Sequence, residues 1–253
     1  MQIFGIDLWR IILCIVLIFL VVKRAGIVAL FAKRAFGKGD NEKAIKIFKI
    51  ANTIGNLNIE NRLSYSYILL RNGYVDEAQL ELRRLLPCTS AKSRDRYRVK
   101  NLLALSLWIQ DNLSEAIEEM EEIIADDFKN TLIYQNLGIL YNLSGDTEKA
   151  LAFNKEAYEY NSDDNIITDN LADAYHLSGD LEKSAEVYEQ LVSRDPEPRF
   201  PEAYYGYGRV LIALGKKAEG IEMIEKSLTK TFSYLSIKTK EDVEEMLNTL
   251  RNA

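Results

Sequence analysis

The stretch TLIYQNLGILYNLSGDTEKALAFNKEAYEYNSDD occupies residues 131–164, and NIITDNLADAYHLSGDLEKSAEVYEQLVSRDPEP follows at 165–198. Laid over one another at a shift of 34, Asn136, Leu137, Tyr141, Leu143, Ser144, Gly145, Asp146, Glu148 and Lys149 meet identical residues at Asn170, Leu171, Tyr175, Leu177, Ser178, Gly179, Asp180, Glu182 and Lys183. Each copy holds two apolar stripes at helical spacing, parted by Gly-Asp. The first stripe falls at positions 4, 7, 8 and 11 of the unit, which share one face of a helix. The glycine between the stripes suits a turn with positive φ.

The frame extends in both directions. Residues 97–130 abut upstream, with Leu103, Ala104, Leu107, Ala116 and Ile123 at core positions. Residues 59–92 carry Tyr65, Ser66, Leu69, Gly73 and Ala78, followed by an insert at 93–96. Residues 25–58 carry Phe31, Ala32, Ala35, Gly39, Ala44, Phe48 and Ala51, and 201–234 carry Tyr204, Tyr207, Gly208, Leu211 and Gly215. Position 8 is always small: Ala32, Ser66, Ala104, Gly138, Ala172 and Gly208. Closely approaching helices need this. Three departures, Asp111 for the turn glycine, Asn154 for an aromatic and Gly220 for a core alanine, are expected to mark looser units. Residues 235–253 contain Val243, Met246, Leu247 and Leu250 at i, i+3, i+4, i+7, with Thr239 as an N-cap candidate, and predict a closing helix.

Six helix-turn-helix units in register over 25–234 resemble the tetratricopeptide repeat family. The resemblance implies an all-α fold, an α-solenoid whose first helices line an inner groove that holds other proteins or peptides. In such proteins positions 2, 5, 6, 9, 12 and 13 of the first helix touch the ligand. Here these imply Tyr67; Arg98, Asn101 and Trp108; Gln135, Asn136 and Asn142; Asp169, Asn170, Asp173 and His176; and Tyr205 and Arg209. Trp and Tyr would serve as anchors. The asparagines either hydrogen-bond a bound backbone or satisfy their own repeat. Some family members clamp a C-terminal carboxylate with lysines and asparagines. Asp169 and Asp173 stand where a cation would help, which argues against that clamp and favours a basic or polar ligand.

The N-terminal segment 1–24 reads differently. Residues 11–22, IILCIVLIFLVV, are apolar without a break. A bilayer-crossing helix is expected over 3–22, with Asp7 and Arg10 paired at i, i+3 and Trp9 at the interface. It should run on into the first repeat helix as one nearly continuous rod. Lys23, Arg24, Lys33, Arg34 and Lys38 follow the run, and only Arg10 lies near its start. The bias expects the N-terminus outside and the repeats in the cytoplasm of a bacterium.

Charge narrows the remaining classes. The first 39 residues are basic although the whole chain is −6 at neutral pH, so the body is strongly acidic. Such a body repels nucleic acid. The densest acids, Glu115, Glu118, Glu119, Glu121, Glu122, Asp126 and Asp127, read as a solvated outer helix face. One histidine, two cysteines without metal spacing and no Gly-rich phosphate loop give no catalytic signature, so no enzyme, cofactor, metal or small-molecule substrate is expected. The expected function is a membrane-anchored scaffold or adaptor for partner proteins. The alternative is a regulatory subunit of a membrane enzyme or envelope-assembly complex, acting through its transmembrane helix.

Overall fold

A computed structural model describes the backbone of residues 2–3 and 6–252 and the side chains of residues 9, 12, 13, 16, 17 and 21–252. The chain divides into two compact units, 1–90 and 91–253. The boundary falls at the segment between repeats two and three, where the 34-residue frame carries its insert. An unbroken array of six was the expectation; each unit is therefore described by itself.

The first unit opens with a two-residue antiparallel ladder, β1 (Gln2–Ile3) and β2 (Ile6–Asp7), followed by α1 (Leu8–Gly37), α2 (Asn41–Ile54), α3 (Ile59–Arg71) and α4 (Val75–Leu85). The expected span from residue 3 is thus corrected: the helix begins at Leu8. Ile3 and Ile6 are β-branched and prefer extended backbone. Asp7 lies in β2 and not on the helix that carries Arg10, and the side chains of both, with their expected pairing, lie outside the described residues. Among the described residues, no helix is long and apolar enough to cross a membrane. Most side chains of 3–22 fall outside that set. As expected, α1 runs without a break through Gly26 into the first repeat. Ala25, Ala29 and Ala32 are buried along one stripe, against α2, whose Ala44, Phe48 and Ala51 are buried too.

The second unit contains four helix pairs and a closing helix. They are α5 (Arg94–Ile109) and α6 (Leu113–Ala125), α7 (Thr131–Ser144) and α8 (Thr147–Tyr160), α9 (Asn165–Leu177) and α10 (Leu181–Val192), α11 (Glu202–Ala213) and α12 (Lys217–Ser227), then α13 (Lys240–Asn252). Each first helix touches the next first helix, α5 to α7 to α9 to α11, while the second helices meet chiefly first helices. The first helices therefore form one layer and the second helices another. Caps punctuate the pairs: Asn130, Asp146, Asp164 and Asp180 each accept a hydrogen bond from a first-turn backbone N–H. Thr239 and Asp242 cap α13 reciprocally, Thr239 N donating to Asp242 Oδ2 at 3.0 Å and Asp242 N to Thr239 Oγ1 at 3.1 Å.

The turn glycines Gly145, Gly179 and Gly215 hold φ between 81° and 85°, and Asp111 is forced to φ 63° in the same place. The other two departures do not loosen their units. A Cβ on Gly220 would meet Gly208 O at 2.7 Å, and a Cβ on Gly208 would meet Gly220 O at 2.7 Å. The paired glycines let α11 and α12 approach more closely than alanine allows. Asn154 is fully buried and donates to Asn142 Oδ1 at 2.8 Å and Gly138 O at 3.3 Å. The acidic face of α6 is less bare than expected. Lys100 pairs with Glu119 and Glu122, Lys149 with Glu121, and Lys92 with Asp126.

Gly220→Ala is expected to cost about 1–3 kcal/mol through overpacking at the α11–α12 contact. Asp111→Gly should gain about 1 kcal/mol by relieving the left-handed strain. Denaturant melts of the purified protein measure both; a Gly220→Ala variant as stable as the parent would disprove the close approach.

Candidate functional site

The candidate site is the first-helix layer. In the second unit, the residues expected to line it separate into an interior ladder and a half-buried strip. Asn101, Asn136, Asn142 and Asn170 are buried. Asn136 Nδ2 donates to Asn101 Oδ1 at 2.8 Å. Asn170 Nδ2 donates to Gln135 O at 2.8 Å. Asn142 Nδ2 donates to Asn170 O at 2.9 Å and to Asp173 Oδ2 at 3.3 Å. Each bond crosses from one repeat to the next. Of the two roles open to these asparagines, the structure shows the internal one. Asn101, Asn136 and Asn170 are turned toward the neighbouring first helix, whereas Gln135 and Tyr205, also at position 5, stay half-buried.

The half-buried strip is Arg98, Trp108, Gln135, Asp173, His176, Tyr205 and Arg209. Arg98 pairs with Asp95 at 3.5 Å. Trp108 packs its inner edge on the core around Leu137 and Tyr141. Gln135 Nε2 donates to both carboxylate oxygens of Asp164, at 2.9 and 2.8 Å. Arg209 lies 3.9 Å from Asp173 and stacks over the Tyr205 ring at 5.7 Å. Burial, then the nearby Arg209 charge, lower the His176 pKa, so it is neutral at pH 7. Tyr67 belongs to the first unit, half-buried on α3 beside Phe36 and Arg71.

Asp169 stands apart. It is 6% exposed and its Oδ1 has no hydrogen-bond partner. Burial, then the charges of Glu202 and Asp173, raise its pKa well above the carboxylate range. Asp173 is also raised by burial, but Arg209 and Asn142 oppose this. Asp169 and Asp173 line one cavity of about 40 Å³ together with residues not anticipated from the sequence, among them Tyr188, Gly206, Phe232 and Ile237. One signal for them existed: Gly206 occupies the frame position held by Asn136 and Asn170. Among the described residues, no group of His, Cys, Asp and Glu is placed to hold a metal.

The raised Asp169 pKa sets a pH dependence. The folded state holds the proton more tightly than the unfolded chain, whose carboxyl titrates near 4. Stability associated with this group is therefore full below about pH 4 and is lost as pH rises through the folded pKa. Asp169→Asn removes that loss. It should raise the melting temperature at pH 8 by several degrees, equivalent to about 1–3 kcal/mol, and the gain should shrink toward pH 4. A variant less stable than the parent at pH 8 contradicts this account.

Tetratricopeptide repeat models match residues 132–164 and 170–231. No curated protein matches the chain. A tetratricopeptide repeat protein from Parabacteroides merdae has a similar fold, with a TM-score of 0.71 at 15% identity over 91% of this chain and 85% of that one. TTC0263, a tetratricopeptide protein of Thermus thermophilus, gives 0.62 at 16% identity over 78% and 100% of the two chains. PilW, a type IV pilus biogenesis factor, gives 0.64 at 16% identity over 89% and 99%. Residues 132–231 thus match tetratricopeptide repeats, and the fold is the all-α tetratricopeptide solenoid.

Proposed function

We propose that this chain is a membrane-anchored scaffold that holds partner proteins on its first-helix layer and performs no catalysis of its own. Tetratricopeptide proteins are generally protein-interaction scaffolds. The observation that carries the reading here is the half-buried strip: Trp108, Tyr205, Arg98, Gln135, Asp173, His176 and Arg209 reach the surface from four successive first helices. The buried asparagine ladder beneath them joins the first three of those helices, α5, α7 and α9. Aromatic and arginine side chains on a rigid backing are the usual anchors of protein interfaces.

The membrane part of this reading keeps the expected segment 3–22 and is supported by the described side chains at the start of α1. Trp9, Ile12, Leu13, Val16, Leu17, Val21 and Val22 are all exposed, from 45% at Val16 to 70% at Val22. A helix surface this apolar favours lipid or another apolar helix over water. Lys23 and Arg24 follow it at once, and the basic excess on that side supports a cytoplasmic repeat body.

Two experiments test these parts separately. In-cell crosslinking should capture a partner several-fold less with Trp108→Phe and with Arg98→Glu, both of which keep the fold. Undiminished capture by both variants would move the interface off this layer. Cys88 is exposed and free, so a membrane-impermeant thiol reagent should modify it only after the cells are opened. Labelling in intact cells would reverse the orientation.

A further inference from the structure

Successive first helices in the second unit share a rule that is broken once. Position 6 of one helix reaches back to position 5 of the helix before it. Asn136 does so to the Asn101 side chain and Asn170 to the Gln135 carbonyl. The next residue in that series is Gly206, which has nothing to reach with. The position-5 residue it faces is Asp169, whose Oδ1 is buried and without a partner. Tyr188 holds the room a side chain at 206 would take: a Cβ there would lie 2.1 Å from its hydroxyl.

Gly206, Tyr188 and Asp169 line one cavity of about 40 Å³. One water needs roughly 10–15 Å³ on this measure, so the space takes a head group of a few heavy atoms and not a whole side chain, a nucleotide or a sugar. Its interior is acidic on one side. Asp173 already has Arg209 and Asn142 as partners, whereas Asp169 still lacks a donor at Oδ1. The rest of the lining, including Phe232, Ile237 and Val243, comes from the segment before α13 and from α13 itself. This wall suits a methylene stem. Lys238, which is exposed, also lines the cavity.

We propose that this cavity is a binding site for the ammonium group of a lysine side chain presented by a partner protein, with Asp169 as its counter-ion. The ammonium supplies the donor that position 206 omits. Its stem lies along Phe232 and Ile237. A guanidinium is planar and broader than an ammonium and fits a space of about 40 Å³ less well. Held empty, the acid destabilises the fold at neutral pH, so the site is a place where stability is given up for a ligand. The inference rests on the first-helix layer being the partner surface and names the group that surface reads.

The test uses the full chain and Nα-acetyl-lysine methylamide as probe, followed by nuclear magnetic resonance titration. Saturable binding in the millimolar range is expected. Acetylating the probe's Nζ, or introducing Asp169→Asn, should weaken it at least about tenfold, the loss of one charge-assisted contact. Glu148→Gln, on the exposed face of α8, should leave it unchanged. Asp169→Asn keeps the fold, so its loss of binding is not a loss of structure. Equal binding of the acetylated probe, full affinity in Asp169→Asn, or tighter binding of the arginine analogue each overturns the proposal. A silent probe, with partner capture still reduced by Trp108→Phe and Arg98→Glu, overturns the lysine site and leaves the partner surface standing. A silent probe with undiminished capture overturns both.

Discussion

Hydrogen bonds from buried asparagines hold the first helices α5, α7 and α9 of the second unit in register. Asn136 to Asn101, Asn170 to Gln135 O and Asn142 to Asn170 O join α5, α7 and α9 in a buried line. Each contributes only about 1 kcal/mol net, but an orphaned amide there would cost about 1–3 kcal/mol. That asymmetry makes the ladder a specificity device: apolar packing alone tolerates sliding of one helix along another, and a displaced asparagine does not. The half-buried residues above the ladder inherit their spacing from it.

The architecture was largely written in the 34-residue period. Glycine turns, aspartate caps and the small position 8 each report local backbone needs, and local needs are what a sequence displays. Less legible was which face of a first helix is covered. Positions 5 and 6 look like groove positions when one helix is drawn alone. Asn101, Asn136 and Asn170 become interior only when the adjacent first helix is in place. Asn154 and Gly220 looked like defects for a related reason. Each is one half of a matched pair, with Gly138 and with Gly208, and its partner lies on the other helix of the repeat. The start of α1 at Leu8 is not visible in apolar content, which extends back to Ile3; the signal for it is the β-branched pair Ile3 and Ile6.

The two aspartates of α9 show how one turn of helix separates chemistry. Asp173 reaches Arg209 and the amide of Asn142, which oppose the effect of its burial without cancelling it. Asp169, one turn earlier, faces Gly206 and meets no cation. Composition cannot distinguish them, and neither can periodicity. The difference lies in the side chain the following repeat omits.

α1 remains a single helix of 30 residues from Leu8 to Gly37. Its outer half bears exposed apolar side chains, and its inner half is locked to α2 by Ala25, Ala29 and Ala32. A helix advances about 100° and 1.5 Å per residue. The two halves are therefore geared like the threads of one screw. A single residue inserted between Val22 and Ala25 would change the fit of neither half yet turn one about 100° relative to the other. The direction the first repeat faces, as seen from the apolar end, is set by a residue count.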